Sequence, residues 1–118
     1  MENHKLVTPS NLNQYGYLFG GDLLKWVDEY AWIAATLEYP DRNFVTFCMD
    51  KVEFKKSVKE GTILKFIVEK NKVGITSVQY LVHVYRGNDM SKNDLIFPTH
   101  VTFVRIGNNG QKAPLPQL

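Results

Sequence analysis

Residues 15–35, YGYLFGGDLLKWVDEYAWIAA, combine an apolar helical pattern with two features that do not help a helix to fold. The pattern begins at an adjacent glycine pair, Gly20 and Gly21, and it carries a carboxylate, Asp28, in its middle. Glycine lowers helix propensity, and an acid adds nothing to a helix face that packs on a core. Both features therefore raise the question of what they do.

The helix is predicted over residues 22–39. Asp22 suits the first turn, where the helix dipole favours an acid, and Pro40 ends the helix. At about 100° per residue, one apolar face covers roughly half the circumference and comprises Trp26, Leu37, Tyr30, Leu23, Ala34, Val27, Ala31, Leu24 and Ala35. Asp28 lies at the rim of this face, at the boundary between core and surface.

The rest of the chain is rich in predicted strands. A short strand from Val7 leads into a loop that ends near Gly16, and long β-rich runs follow over residues 44–58, 61–73, 74–86 and 96–106, with a polar loop at 87–95. About five strands with short connections and one long helix predict an α+β fold. We expect a curved antiparallel sheet wrapped around the helix.

Composition limits the functional classes. At 118 residues, 1–118 is expected to be a single domain, and the net charge of +2 is too small for a nucleic-acid binder. The single cysteine, Cys48, is expected to be a buried strand thiol rather than a nucleophile. No signal peptide and no membrane-length apolar run stands out, so we expect a cytoplasmic protein without membrane partners.

The glycine pair suits an anion. Backbone N–H groups at a helix start lack intrahelical partners and lie at the positive end of the dipole, and glycine lets a ligand approach them closely. Such donors can stabilise an oxyanion on a carbonyl. Asp28 lies about 10 Å from Gly21 along the helix axis, so a neighbouring copy of the chain would have to supply the carboxylate. Phosphate is less favoured because no P-loop lysine follows the glycines.

Each feature also has a purely structural interpretation. Gly20 and Gly21 suit a turn, Asp28 suits a solvated helix rim, and Asn13 suits a turn held by its own side chain. Composition and periodicity leave these alternatives open.

Residues 13–35, NQYGYLFGGDLLKWVDEYAWIAA, resemble the signature of hotdog-fold acyl-CoA thioesterases. The similarity extends through residues 45–62 and 99–116, so it covers nearly the whole chain. The matching signature positions are Asn13, Gly16, Phe19, Gly20, Gly21 and Asp28.

This resemblance implies a hotdog dimer, assembled further into a tetramer or hexamer, with its active site at the dimer interface. Asp28 would be the general base or nucleophile, the Gly20 and Gly21 amides the oxyanion hole, and Asn13 the group that orients water or the carbonyl. Coenzyme A would enter as part of the substrate, with no separate cofactor and no metal. The residues implied to contact the substrate are Phe19, Thr46, Gly74, Thr76 and Ser77.

The chain departs from the family pattern at the turn from Gly74 to Ser77, where an arginine is common, so another thioester carrier stays open. Lys55, Lys56, Lys59 and Arg86 are candidates for replacing its charge, although each also suits a solvated strand end. A dehydratase of the same fold is disfavoured because no histidine lies within residues 13–38. The remaining alternative is a non-catalytic module that binds an acyl ligand or acts as a scaffold.

Overall fold

The computed structural model describes residues 1–87 and 94–116, which form a five-stranded antiparallel sheet and a long helix. The elements are β1 (Glu2–Leu6), a 3₁₀ turn (Pro9–Asn11), α1 (Gly20–Glu38), β2 (Asn43–Asp50), β3 (Ile63–Val73), β4 (Ser77–Arg86) and β5 (Leu95–Ile106). The strand order is β1-β3-β4-β5-β2. The curled antiparallel sheet with one helix on it confirms the predicted fold class. Most of the polar loop predicted at 87–95 lies outside the described residues.

The core lies between α1 and one face of the sheet, and α1 contacts β2, β3, β4 and β5. Alternate residues of β4 are buried, as the period-2 pattern predicts for a strand with one face on a core. Ala31 and Ala35 are completely buried, because their small side chains let the helix approach the sheet closely. Leu37, predicted to face the core, is instead exposed. It lines an open cavity beside Met1 and Val68 at the end of α1.

Several predicted boundaries are wrong. The first strand is Glu2–Leu6 rather than a strand from Val7, because residues 2–6 pair with β3. The helix begins at Gly20, two residues before Asp22. The run 44–58 is a strand only as far as Asp50, and residues 51–58 belong to no strand. Cys48 is exposed rather than buried, because β2 is an edge strand of this sheet.

Candidate active site

The start of α1 presents two free backbone donors. Phe19 is the N-cap residue, and its carbonyl oxygen accepts hydrogen bonds from the amides of Asp22 (3.1 Å) and Leu23 (3.3 Å). The amides of Gly20 and Gly21 have no acceptor within residues 1–87 and 94–116. These two N–H groups therefore lie at the positive end of the helix dipole, ready for an acceptor from outside the chain.

Two phenyl rings explain why both residues are glycines. A Cβ atom on Gly20 would lie 2.9 Å from Cζ of Phe54, and one on Gly21 would lie 2.7 Å from Cε2 of Phe19. Both distances are shorter than van der Waals contact allows. Side chains at these positions would displace the rings, so the glycine pair serves packing as well as ligand access.

Asn13 holds the loop before the helix with one half of its side chain. Its Oδ1 accepts hydrogen bonds from the amides of Tyr15 (2.9 Å) and Tyr17 (3.2 Å), which is the turn predicted from its residue type. Its Nδ2 has no acceptor in the described part of the chain. Asn13 therefore fixes the loop through its oxygen and keeps an N–H donor for a ligand.

A cavity of about 420 Å³ lies between this loop and residues 54–58. Asn13 and Gly20 line it together with four apolar side chains, Leu18, Leu23, Phe54 and Val58. This volume falls within the usual range of small-molecule sites, about 300–1,000 Å³. The structure thus brings two of the predicted site residues to one cavity, which has both polar and apolar lining.

Two lysines also line the cavity, and they differ in their partners. Lys56 forms an ion pair with Asp94, whose other carboxylate oxygen accepts a hydrogen bond from Nε of Arg86 at 2.8 Å. These hydrogen bonds from Lys56 and Arg86 lower the pKa of Asp94. Lys55 makes no ion pair with a described residue, so its charge remains available.

Asp28 is half-buried on α1, against the edge strand β2. The hydroxyl of Thr46 donates a hydrogen bond to its Oδ1 at 2.7 Å, while Oδ2 has no partner among the described residues. One turn later, Nε1 of Trp32 donates to the carbonyl oxygen of Phe44 at 3.3 Å. These two contacts hold α1 against β2 and orient the carboxylate. Thr46, expected at the substrate, contacts Asp28 here.

A single chain does not bring all the predicted site residues together. Asp28 is absent from the lining of the cavity that holds Asn13 and Gly20. The turn between β3 and β4 lies elsewhere: the amide of Gly74 donates to the carbonyl oxygen of Ser77 at 2.7 Å, and the carbonyl oxygen of Thr76 accepts from the amide of Arg105 at 2.8 Å. Gly74 lines a second cavity with Tyr39, directly after the C-terminal end of α1.

Phe54 is the site residue that sequence reasoning missed. It lies in a β-rich run, and nothing in that run indicated that its ring covers Gly20.

Within residues 1–87 and 94–116, no group of three or more His, Cys, Asp or Glu side chains could hold a metal ion. The helix in this part of the chain is too polar to cross a bilayer.

Comparison with known proteins places the chain in a family. The model of the thioesterase superfamily matches residues 15–92. The uncharacterized acyl-CoA thioester hydrolase YkhA of Bacillus subtilis is 32% identical over 115 residues, which are 95% of this chain and 65% of that protein. The chain thus spans just under two thirds of the length of this relative.

Solved structures agree with this match. An acyl-CoA hydrolase of Staphylococcus aureus, in complex with butyryl coenzyme A, coenzyme A and coenzyme A disulfide, is 29% identical with a TM-score of 0.87 over 98% of this chain and 71% of that one. An apo-hexameric acyl-CoA thioesterase is 30% identical, also with a TM-score of 0.87, over 99% of this chain and 75% of that one. With these neighbours and a family model that matches more than half of its length, the chain belongs to the thioesterase superfamily.

Proposed function

We propose that this protein hydrolyses acyl-CoA thioesters to a free acid and coenzyme A. The observation that carries the proposal is the set of free donors beside a cavity with one apolar wall: the Gly20 and Gly21 amides and Nδ2 of Asn13. Relatives named as acyl-CoA hydrolases support the same chemistry. Coenzyme A enters as part of the substrate, and the reaction needs no metal or redox group.

The donors fit the charge that develops during thioester hydrolysis. As the carbonyl carbon becomes tetrahedral, its oxygen becomes an oxyanion, which preorganised N–H groups stabilise. Because Oδ1 of Asn13 is occupied by backbone amides, this residue can offer only its N–H to the carbonyl or to water. The thiolate leaving group needs little protonation, so one carboxylate is enough for the remaining proton transfer.

The carboxylate in this proposal is Asp28, as general base on water or as nucleophile on the thioester carbon. Thr46 occupies Oδ1, which leaves Oδ2 free for the reaction. The Staphylococcus aureus acyl-CoA hydrolase has been studied as variants in which an Asn, an Asp and a Thr are each replaced by Ala. That Asn and that Asp are separated by the same number of residues as Asn13 and Asp28.

The site is completed by a second copy of the chain. On the edge strand β2, Val45 is 49% exposed and Phe47 is 66% exposed, and an apolar edge of this kind pairs readily with another strand. A two-fold axis at this edge sets the two α1 helices antiparallel. Asp28 of one subunit then lies toward Gly21 of the other, which removes the separation of about 10 Å within one helix. The apo-hexameric neighbour favours a hexamer built from three such dimers.

Hydrolysis of a panel of short, medium, long and aromatic acyl-CoAs tests the proposal. We expect turnover by the wild type, and a loss of about 10²-fold or more in kcat for Asp28→Asn, since this substitution removes the base or nucleophile. Free thiol is measured, with a blank without substrate to subtract the reaction of the exposed Cys48. Equal activity of Asp28→Asn and wild type would contradict the mechanism, and a wild type inactive on every substrate would favour a binding or scaffolding role.

Mixing two inactive variants tests whether the site is shared. If Asp28 of one subunit acts with Asn13 of the other, a mixed dimer of Asp28→Asn and Asn13→Asp contains one intact site. Random reassembly should then restore about a quarter of the wild-type activity. If both residues act within one chain, every site in the mixed dimer carries a substitution, and co-refolded protein stays inactive.

A further inference from the structure

The cavity beside Gly20 has an apolar wall for which the hydrolytic step alone gives no role. We propose that this cavity holds the acyl chain of the thioester and that Phe54 determines the chain length it accepts. This inference rests on the proposed thioesterase function and deepens it by naming the part of the substrate that the cavity binds.

The ring of Phe54 lies where an acyl chain would begin. Phe54 lies directly against Gly20, whose free amide is a proposed donor to the carbonyl oxygen. A carbonyl held at the start of α1 has its acyl carbon chain beside this ring. The chain can then continue along Leu18, Leu23 and Val58, which line the same cavity.

The ring of Phe54 is packed on one face and exposed on the other. One face of Phe54 stacks on Phe97, with ring centroids 5.3 Å apart and planes inclined by 21°, while 49% of the residue remains exposed. Phe97 is completely buried, so one side of the Phe54 ring belongs to the core. The other side offers apolar surface to the cavity, and an acyl chain would remove that surface from water.

The chain is anchored directly after Phe54. The amide of Lys55 donates to the carbonyl oxygen of Ile96 at 3.2 Å, and the carbonyl oxygen of Val58 accepts from the amide of Leu18 at 2.7 Å. The anchor at Lys55 and the stack on Phe97 hold the ring in place, and its size sets the room left in the cavity. A fixed apolar wall discriminates chain length, because one methylene too many or too few changes kcat/KM by roughly tenfold or more.

The charges around the cavity agree with a substrate that has an apolar acyl chain and an anionic carrier. Lys56 shares the carboxylate of Asp94 with Arg86, whereas Lys55 has no ion pair among the described residues. Among residues 1–87 and 94–116, no acidic side chain lines the cavity. This arrangement suits an apolar acyl chain inside the cavity and an anionic carrier outside it. Lys55, which has no ion pair among the described residues, follows Phe54 directly in the chain.

The test measures two quantities across straight acyl-CoAs of increasing length for wild type, Phe54→Ala and Phe54→Trp. The first is kcat/KM, and the second is the Kd for the same acyl-CoAs by calorimetry in the Asp28→Asn background, where turnover is slow. We expect Phe54→Ala to move the optimum of both quantities to longer chains and Phe54→Trp to move it to shorter ones, with a change of about tenfold in the ratio between long and short chains.

Val52→Ala is the matched control, because Val52 is exposed on the same extended segment but does not line the cavity. It should leave the chain-length profile unchanged. An unchanged profile in both Phe54 variants, or a weaker dimer with the same profile, overturns the inference while leaving hydrolysis in place. The wild type could hydrolyse no acyl-CoA while the Phe54 variants still change how Kd depends on chain length. That result would contradict the proposed hydrolysis but support the cavity as the acyl-binding site.

Discussion

The two ends of α1 differ in whether their polar groups have partners within the described chain. At the N-terminal end, the amides of Gly20 and Gly21 have no acceptor in the described chain, and half-exposed phenyl rings surround them. At the C-terminal end, the carboxylate of Glu38 accepts a hydrogen bond from the hydroxyl of Tyr80 at 2.7 Å and forms an ion pair with Lys70 at 3.3 Å. The N-terminal end therefore has two N–H donors without an acceptor among the described residues, whereas Glu38 at the C-terminal end is paired within the chain.

The C-terminal arrangement offsets an unfavourable position. An acid in the last turn faces the negative end of the helix dipole, so Glu38 requires compensation. Lys70 supplies charge and also lies over the ring of Tyr39, 5.6 Å from its centroid. Burial and the neighbouring Glu38 raise the pKa of Tyr80, which keeps its hydroxyl protonated as a donor.

The difference between the two ends indicates that the N-terminal end of α1 lacks a stabilising cap. Both ends belong to one helix with one dipole, and satisfying the N-terminal amides internally would be simple with a capping Ser or Asp. The residue at that place is Phe19, which has no capping side chain. We therefore expect substitutions near the N-terminal end to change activity and those near the C-terminal end to change stability.

The largest effect is expected at Asn13. Asn13→Asp keeps the oxygen that accepts from Tyr15 and Tyr17 but removes the N–H donor. We expect kcat to fall by about 10²-fold, as for loss of one oxyanion donor, with the melting temperature little changed. Asn13→Ala is the comparison, because it also releases the loop and should lower both kcat and stability. Full activity of Asn13→Asp would mean that this residue serves only the turn.

A smaller effect is expected at Thr46, midway between the two ends. Thr46→Val removes the hydroxyl that holds Oδ1 of Asp28, and a hydrogen bond to a charged group is worth about 1.5–3 kcal/mol. We expect kcat to fall about tenfold while KM stays constant, with Thr46→Ser retaining most of the activity. A rise in KM with constant kcat would instead show that Thr46 contacts the substrate.

The smallest effect is expected at Tyr80, and it concerns stability alone. Tyr80→Phe keeps the ring that packs on Phe103 but removes the donor to Glu38, so the free energy of unfolding should fall by about 1 kcal/mol with kcat unchanged. Urea denaturation at neutral pH measures this difference. An altered kcat would show that the two ends of the helix are coupled.

The contact between Tyr80 and Glu38 predicts that the free energy of unfolding depends on pH. Because folding raises the pKa of Tyr80 above its ordinary value of 10.0, the folded state holds this proton more tightly than the unfolded state. The associated stability is present below pH 10 and decreases as the pH rises above it. Tyr80→Phe should lose less stability than wild type over this alkaline range.

Periodicity was sufficient to predict the sheet and the helix. The alternation in β4 and the apolar face of α1 both reflect burial on one side, which repeats regularly along the sequence. The helix start was two residues off because Phe19 caps it through backbone alone. β1 was misplaced because residues 2–6 have no apolar alternation of their own, and only pairing with β3 makes them a strand.

The candidate site was predictable only in part. The resemblance predicts Asn13, Gly20, Gly21 and Asp28 as site residues, but the split use of the Asn13 side chain depends on loop geometry. Phe54 escaped notice because it is separated from Gly20 by more than thirty residues of sequence and meets it only in the fold. Contacts of this kind leave no local pattern.

The fit of Phe54 over Gly20 also limits how this protein can change over time. Any side chain at Gly20 requires the ring to move, and a smaller residue at position 54 creates the space that a side chain at position 20 would fill. The two positions are therefore coupled, and a substitution harmful alone becomes acceptable with its partner. A laboratory library that varies residues 20 and 54 together should yield active combinations of a side chain at position 20 with a small residue at position 54, whereas a side chain at position 20 alone should lower activity.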